Sequence, residues 1–332
     1  MSKLKCNLPV TFSGCILGPA KVVLQIRAMI NSTGRGNLSN YNCPWLIYPE
    51  PFFSFIFVTN IFIAITATLG NVLVLVALHK VSSIHSSTKL LLGSLAVADL
   101  GVGLIVQPLY LVLFMGVPCA NRRVISLAAS TLTFALSGFS FHAAAAICVD
   151  RLLALLLRLR YRQSVTLKRV CVVITCLWLA SISEGIVYSF YSPSIANSLA
   201  FVGTVVSVLI SVSSYAKIVL KLRRYQAQVQ HHVGHQTMNA GGPPLNIRLY
   251  KNILCGIGWV QIALAVCYFP FILYMIMITL AGWHESQPFF LNSALTIVYF
   301  NSSLNPFLFC WKIREVRQTI KNIVKQILCF LS

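Results

Sequence analysis

The chain has 332 residues, of which 57% are hydrophobic and only 10% are charged. Ordinary soluble domains carry roughly a quarter charged residues, and a single apolar core stops growing below about 300 residues. A soluble protein of this length could not cover so much apolar surface with so few charges. The composition therefore indicates an integral membrane protein and argues against a soluble enzyme.

Long apolar runs recur along the chain. A membrane-spanning helix needs roughly 20 mostly apolar residues, and seven runs reach that length. They cover 52–78, 88–114, 124–154, 169–191, 196–220, 252–280 and 287–311. The longest break, Arg223–Arg248, contains Gly-Gly-Pro-Pro at 241–244 and is predicted to be a loop. The sequence therefore predicts an all-α membrane protein, a bundle of seven transmembrane helices.

Lys and Arg are distributed unevenly between the two ends of the spans. Only seven of the 26 lie on the side of the N-terminus. Because excess Lys and Arg mark the cytoplasmic side, the N-terminus is predicted outside and the C-terminus inside. The net charge of +20 then reflects topology and attraction to anionic membrane lipid. Nucleic-acid binding is not predicted, since no soluble domain presents a basic face.

The segment 1–51 is predicted to be extracellular, 52–311 to be the transmembrane domain, and 312–332 to be a cytoplasmic helix and tail. The first segment contains glycosylation sequons at Asn31 and Asn37. Cys43 and Cys119 would both meet an oxidising exterior, and a disulfide between them is one option that the sequence leaves open. No Cys/His spacing resembles a metal site.

Several polar side chains fall in the middle of apolar spans, where they are costly. They are Asn71, Asp99, Ser140, Asn301 and Asn305. A buried carboxylate needs partners or a cation, and Asn and Ser oxygens suit a small monovalent ion. Hydrogen bonding between helices is the other explanation, and their spacing alone leaves both open. Glu184 in span four is a lone acid that could meet a ligand or a neighbouring helix.

Span three ends with Asp150-Arg151 on the predicted cytoplasmic side. Such neighbours can form a local ion pair that opens when another helix moves. The alternative is that Arg anchors the helix in the membrane interface, which suits Arg158, Arg160 and Arg162 better.

Pro270 and Pro306 interrupt spans six and seven. Pro inside a helix removes a backbone hydrogen bond and kinks the helix, so both are candidate pivots. Residues 312–325 then alternate basic and apolar residues, which predicts an amphipathic eighth helix on the membrane surface. Its predicted apolar face holds Ile313, Val316, Ile320, Ile323 and Val324. Cys329 is a candidate palmitoylation site.

In this order, the motifs resemble those of the rhodopsin-like (class A) G protein-coupled receptors over residues 52–329. The matching segments are Gly70-Asn71-Val72, Leu95-Ala-Val-Ala-Asp99, Asp150-Arg151-Leu152, Trp178, Tyr215, Cys267-Tyr-Phe-Pro270 and Asn305-Pro-Phe-Leu-Phe309. The resemblance implies a plasma-membrane receptor that binds an extracellular ligand and activates a heterotrimeric G protein. It implies neither enzymatic activity nor an organic cofactor.

The family's sites carry over by position. The resemblance implies an allosteric sodium ion as the only metal, held by Asp99, Ser140, Asn301, Ser302 and Asn305. The residues implied to switch and to couple to the G protein are Asp150, Arg151, Tyr215, Pro270, Asn305, Pro306 and Phe309.

Several positions depart from the family pattern. Leu152 replaces the Tyr of Asp-Arg-Tyr, Tyr268 stands where Trp is usual, and Phe309 lacks the phenol that family members use when active. The usual disulfide from span three to the second outer loop is missing, because Ser126 stands near its place and the break at 192–197 has no Cys. With Ser207 at the usual Pro of span five, this combination resembles the melanocortin, cannabinoid and lysophospholipid branch.

The implied ligand pocket is mostly apolar with a few hydroxyls. Its residues are Thr133, Tyr268, Phe271, Ile272, Met275, Leu295 and Tyr299. Thr133 stands at the aminergic acid position, Tyr299 near the retinal lysine, and Leu109, Ser126 and Ser130 near the acidic cluster of melanocortin receptors. The lining favours a neutral or lipid-like small molecule, and simple packing of the bundle explains the same residues equally well.

Other functions remain open. A transporter or channel would use Asp99 and the span-seven Asn residues as a permeation path, but no inverted halves with broken helices are visible. A non-signalling receptor-like scaffold fits the altered motifs of spans six and seven. An odorant-type chemoreceptor belongs to the same class as the favoured function.

Overall fold

The computed structural model describes residues 50–82, 84–115, 119–157, 160–233, 263, 265–278, 287–312 and 314–331. Within these ranges the regular structure is helical, with no β-strand. Asn31, Asn37, Cys43, the Gly-Gly-Pro-Pro stretch and the first half of span six lie outside the described residues, as do the side chains of Cys119 and Ile313.

The helices of the described residues follow the predicted spans in order. They are α1 (Glu50–Lys80), α2 (Ser86–Met115), α3 (Cys119–Leu157), α4 (Leu167–Phe190), α5 (Pro193–Val233), α6 (Ala265–Ile278), α7 (Gln287–Lys312) and α8 (Arg314–Leu331). A single helical turn, Tyr161–Ser164, connects α3 to α4.

The helices α1 to α5 are each long and apolar enough to cross a membrane. Within the described residues α6 is apolar but shorter, and the Asn and Ser residues of α7 make that 26-residue helix less apolar. The prediction of an all-α membrane bundle is confirmed.

The predicted break after span five begins too early. α5 continues to Val233 and therefore includes Arg223, Arg224, His231 and His232, which the prediction placed in a loop. Residues 223–233 contain no Gly or Pro, and their Arg, Gln and Ala residues favour helix. Helix propensity thus extends α5 by about three turns beyond the apolar run.

The second outer connection is shorter than predicted. Only Tyr191 and Ser192 separate α4 from α5, and Pro193 already belongs to α5. Pro is favoured in the first helical turn, where its missing N–H is not needed. The Ser192 hydroxyl caps the helix by accepting a hydrogen bond from the Ile195 N–H at 3.4 Å.

A π-helical segment, Val102–Val106, interrupts α2 just after Asp99. Pro108 follows it and cannot donate to the helical ladder, which is a physical reason for the change in winding. Gly103 lets the segment approach α1, because an added Cβ would lie 2.8 Å from the Thr68 hydroxyl. The segment sets the rotation of the outer half of α2 relative to Asp99.

Glycines bring the helices close together at two further contacts. On Gly185 of α4, an added Cβ would lie 2.6 Å from the Thr131 carbonyl oxygen of α3. On Gly70 of α1, it would lie 2.8 Å from Cγ of Pro306 in α7. Inside a membrane, helix association depends on such close packing, since burial of apolar surface supplies little driving force.

The bundle interior contains two main apolar clusters. The outer one joins α1, α2, α3, α6 and α7 around Tyr110, Tyr268 and Tyr299. The inner one includes Phe139 and Phe309, and Trp178 packs against it with its ring 4.0 Å from that of Phe139. In their most apolar windows, 56% of α2 is buried but only 17% of α4 and of α5. Among α1 to α5, the helices α4 and α5 therefore expose most of their surface to lipid.

The amphipathic eighth helix has most of its predicted apolar face. Val316 is buried, Ile323 is nearly so, and Ile320 packs against the inner cluster. Val324 was predicted to share this face but is exposed, because it lies one position beyond Ile323 and about 100° further around the helix.

We expect Gly185→Ala to destabilise the protein by about 1–3 kcal/mol, because α3 and α4 must separate to admit the methyl group. The measurement is the melting temperature of the detergent-solubilised protein. Gly93→Ala is the matched control, since an added Cβ there would meet no atom within 4 Å. Equal melting temperatures for the two variants would contradict the close contact.

Candidate functional site

The first polar cluster centres on Asp99, which is fully buried between α2, α3 and α7. One carboxylate oxygen accepts a hydrogen bond from the Ser140 hydroxyl at 2.8 Å. The other accepts one from the Asn305 side-chain amide at 2.7 Å, and the Ser302 side chain lies close to the same carboxylate. Asp99 thus bonds to a residue more than 200 positions away in the chain.

Asn71 extends this cluster to α1. Its amide donates to the Ala67 carbonyl at 2.8 Å and to the Ser302 carbonyl at 3.0 Å. The side-chain oxygen of Asn71 and the side-chain nitrogen of Asn301 are buried and have no protein partner among the described residues. The cluster therefore retains unused hydrogen-bonding capacity where water is scarce.

The oxygens around Asp99 fit a small monovalent cation. A carboxylate oxygen and the Ser140 hydroxyl lie 2.8 Å apart, and Ser302 supplies another hydroxyl close by. Hard cations prefer such oxygen ligands. Asn305 presents its N–H groups to Asp99, so in this arrangement its amide acts as a donor and not as an ion ligand.

A second polar cluster surrounds Asp150 at the inner end of α3. The Tyr161 phenol donates to one carboxylate oxygen at 2.5 Å, and the Thr88 hydroxyl donates to the other at 2.9 Å. Arg151 lies 3.4 Å from the second oxygen and is one-third exposed, whereas Asp150 is buried. The predicted Asp150–Arg151 contact is present, but hydroxyl groups make the shorter contacts with Asp150.

Tyr161 is a permanent hydrogen-bond donor in this cluster. Burial raises the pKa of Tyr161 to about 12, and its hydrogen bond to Asp150 contributes to the rise. The phenol therefore stays protonated over the physiological range. The ring also packs edge-on against His85, with centroids 5.2 Å apart.

The other predicted switch residues are distributed over α5, α6 and α7. Phe309 is buried in the inner cluster near α8, and Pro306 packs on α1. Pro270 is half-buried in α6, and Tyr215 is half-buried on α5. The structure does not bring these residues into one site; they mark contacts of several helices.

Among the predicted pocket residues, the structure brings Thr133 and Tyr299 into contact. Their hydroxyls lie 3.1 Å apart, across the interface of α3 and α7. Tyr299 also packs edge-on against Tyr110, whose phenol donates to Asn292 at 2.9 Å. Phe271 and Leu295 pack against the same outer cluster, while Ile272 and Met275 are half-buried on α6.

Tyr268 contacts α3 at a different point from the Thr133–Tyr299 pair. Its phenol donates to the Ser137 backbone carbonyl of α3 at 2.8 Å, and its ring lies 4.4 Å from that of Phe141. This contact ties α6 to α3 two residues before Pro270.

Sequence reasoning missed Thr88 and the role of Tyr161. Thr88 was treated only as the first residue of span two, and Tyr161 as part of an Arg-rich turn. A hydroxyl at each position was the only signal, and nothing in the sequence indicates that both reach Asp150.

Comparisons with known proteins agree with this geometry. The family model described as "7 transmembrane receptor (rhodopsin family)" matches residues 70–198. Melanocortin receptor 4 of Danio rerio is 26% identical over 286 residues, which cover 80% of this chain and 83% of that receptor. The chain is therefore similar to seven-transmembrane receptors of the rhodopsin family. The resemblance inferred from its motifs, including the relation to melanocortin receptors, is confirmed.

The receptor is accordingly a multi-pass membrane protein of the G protein-coupled class. Its family is one of receptors and not of enzymes.

We expect Thr88→Val to lower the stability of the receptor by about 1.5–3 kcal/mol, because it removes one hydroxyl donor from the buried Asp150 carboxylate. Thr66→Val is the matched control, since the Thr66 hydroxyl bonds only to carbonyls of its own helix, Phe62 and Ile63. Thermal unfolding in detergent measures both variants. A Thr88→Val receptor as stable as the control would show that this hydrogen bond contributes nothing.

Proposed function

We propose that the receptor resides in the plasma membrane, binds an extracellular neutral or lipid-like small molecule, and activates a heterotrimeric G protein. The observation that carries this proposal is the Asp150 cluster at the inner end of α3. Its loosely held, partly exposed Arg151 can be released toward a cytoplasmic partner.

Release of Arg151 needs little energy. A partly exposed ion pair contributes only about 0–1 kcal/mol, and the Arg151–Asp150 contact is 3.4 Å long. Asp150 keeps the hydroxyls of Tyr161 and Thr88 when Arg151 leaves, so the buried carboxylate is not left unpaired. Arg151 would then meet the G protein α-subunit, with the basic inner loops in support.

The moving element in this mechanism is α6. An outward swing about Pro270 requires the Tyr268 phenol to leave the Ser137 carbonyl. A ligand that contacts α6 above this point would favour the state in which that bond is broken, in proportion to its differential affinity for the two states.

The ligand class follows from the pocket residues. Thr133 and Tyr299 supply hydroxyls, and Phe271 and Leu295 supply apolar surface. The relative from Danio rerio is named a melanocortin receptor, but Leu109, Ser126 and Ser130 stand near the acidic positions that such receptors use. A neutral ligand therefore suits this receptor better than a basic peptide.

A non-signalling scaffold is the second candidate, and Phe309 favours it. Phe309 is buried against α8 residue Val316 in the inner cluster and has no hydroxyl to offer in an active state. A chemosensory receptor is a variant of the first proposal that differs only in its ligand.

Sodium is the one metal we propose for this receptor. Asp99, Ser140 and Ser302 would hold the ion, with Asn301 and Asn305 beside it. The ion would supply a positive charge next to the buried carboxylate, favouring the packed arrangement of α2, α3 and α7 and opposing activation.

We expect Arg151→Ala to abolish ligand-independent G protein activation in cells, because it removes the group that meets the α-subunit. Arg162→Ala, which alters an exposed Arg of the same inner side, should signal like the wild type. Signals are compared at matched surface levels. A basal signal that is unchanged in Arg151→Ala would contradict the proposed switch.

We expect sodium to raise the melting temperature of the purified receptor relative to choline at equal ionic strength, because the ion binds the folded state. Asp99→Asn should remove this difference, since it removes the charge at the ion. Glu315→Gln, at an exposed acid of α8, is the control and should retain it. A sodium effect that survives in Asp99→Asn would rule out this site.

A further inference from the structure

A third polar cluster lies between α3, α4 and α5, and the switch described above does not use it. His142 of α3 shares a hydrogen bond with the Ser207 hydroxyl of α5, with Nδ1 and Oγ 2.8 Å apart. Glu184 and Ser181 of α4 lie next to it. Ionisable side chains inside a membrane are costly and usually functional.

Two glycines allow the helices to pack closely around these polar groups. An added Cβ on Gly203 would lie 3.6 Å from His142 Nε2 and 3.5 Å from Glu184 Oε1. An added Cβ on Gly138 would lie 3.5 Å from the Ser181 hydroxyl and 3.7 Å from Glu184 Oε2. Both carboxyl oxygens of Glu184 therefore lie at close helix contacts, one beside α3 and one beside α5.

The cluster has unused hydrogen-bonding capacity. Ser181 is fully buried, and its hydroxyl has no protein partner among the described residues. Within the same residues, no hydrogen bond or ion pair engages the Glu184 carboxyl. Polar groups left unpaired in an apolar environment cost free energy, so this cluster favours an additional partner.

That partner would come from the bilayer. His142 and Glu184 are only half-buried, and they lie under the lipid-facing surfaces of α4 and α5. Exposed apolar side chains flank them, including Leu179 of α4 and Val202 and Val206 of α5. The cluster is also on the opposite side of α3 from Thr133, because nine residues separate Thr133 from His142 and turn the helix by about half a revolution.

We propose that α3, α4 and α5 form a membrane-facing site for a neutral lipid with a hydroxyl headgroup. A hydroxyl can donate a hydrogen bond, so the headgroup can donate to a Glu184 oxygen at the half-buried edge of the cluster. The acyl chain would lie along Val202 and Val206. A phosphate headgroup does not fit, because its charge would face the Glu184 carboxyl away from water. This site is separate from the proposed ligand pocket.

The first experiment compares two probes on the wild-type receptor in nanodiscs. One probe is a monoacylglycerol with a photoreactive diazirine in its acyl chain, and the other is the same molecule with both hydroxyls methylated. After irradiation, mass spectrometry maps the labelled peptides. We expect the monoacylglycerol to label residues 167–190 and 193–221 about fivefold more than the ether, because the ether cannot donate. Equal labelling by the two probes would overturn the proposal.

The second experiment removes the site. In Gly203→Ala the added Cβ would press on His142 Cε1 at 3.2 Å and lie 3.5 Å from Glu184 Oε1, so the variant disturbs both side chains. We expect labelling by the monoacylglycerol to fall about fivefold in Gly203→Ala and in Glu184→Leu, and to stay unchanged in Gly93→Ala. Undiminished labelling in a folded Gly203→Ala receptor would overturn the proposal. If neither site variant folds, the comparison of probes on the wild type decides alone. No G protein enters either experiment, so a silent receptor can still pass the test.

Discussion

A carboxylate inside an apolar bundle, away from bulk water, must find its hydrogen bonds within the protein. Asp99 meets this requirement by taking donors from two other helices, Ser140 on α3 and Asn305 on α7. The same demand fixes Asn71, which reaches the backbone of α7 through Ser302. The relative positions of α1, α2, α3 and α7 therefore follow from one buried group and its partners.

These short hydrogen bonds can form only because the helices approach one another closely. Gly70 permits α1 to lie on Pro306 of α7, and Gly185 permits α4 to lie on the α3 backbone. The π-helical segment after Asp99 turns the outer half of α2. Small residues and altered helix winding thus position the polar groups, while the two apolar clusters fill the space around them.

At the inner end of the bundle a second buried carboxylate is also surrounded by hydrogen-bond donors, but the charged group beside it is held only weakly. Asp150 is buried and fully supplied by Tyr161 and Thr88, while the neighbouring Arg151 is partly exposed. A buried carboxylate that keeps its hydroxyl donors lets the nearby Arg move at little cost. Several buried hydrogen bonds fix the core around Asp99, whereas the region that would meet a partner has weaker contacts. This difference suits a protein that changes shape at one end.

Composition and run length alone determined the membrane class, the helical bundle and most helix boundaries, because lipid allows a spanning chain few structures besides helices. The resemblance of its motifs to a receptor family also implied that Asp99, Ser140 and Asn305 form one group. The sequence could not show that Thr88 and Tyr161 both bond to Asp150, or that Glu184 and His142 face the same glycine, since these contacts join distant segments. Only tertiary packing decides which polar groups meet, because a hydrogen bond depends on distances of a few tenths of an ångström that helix periodicity does not fix.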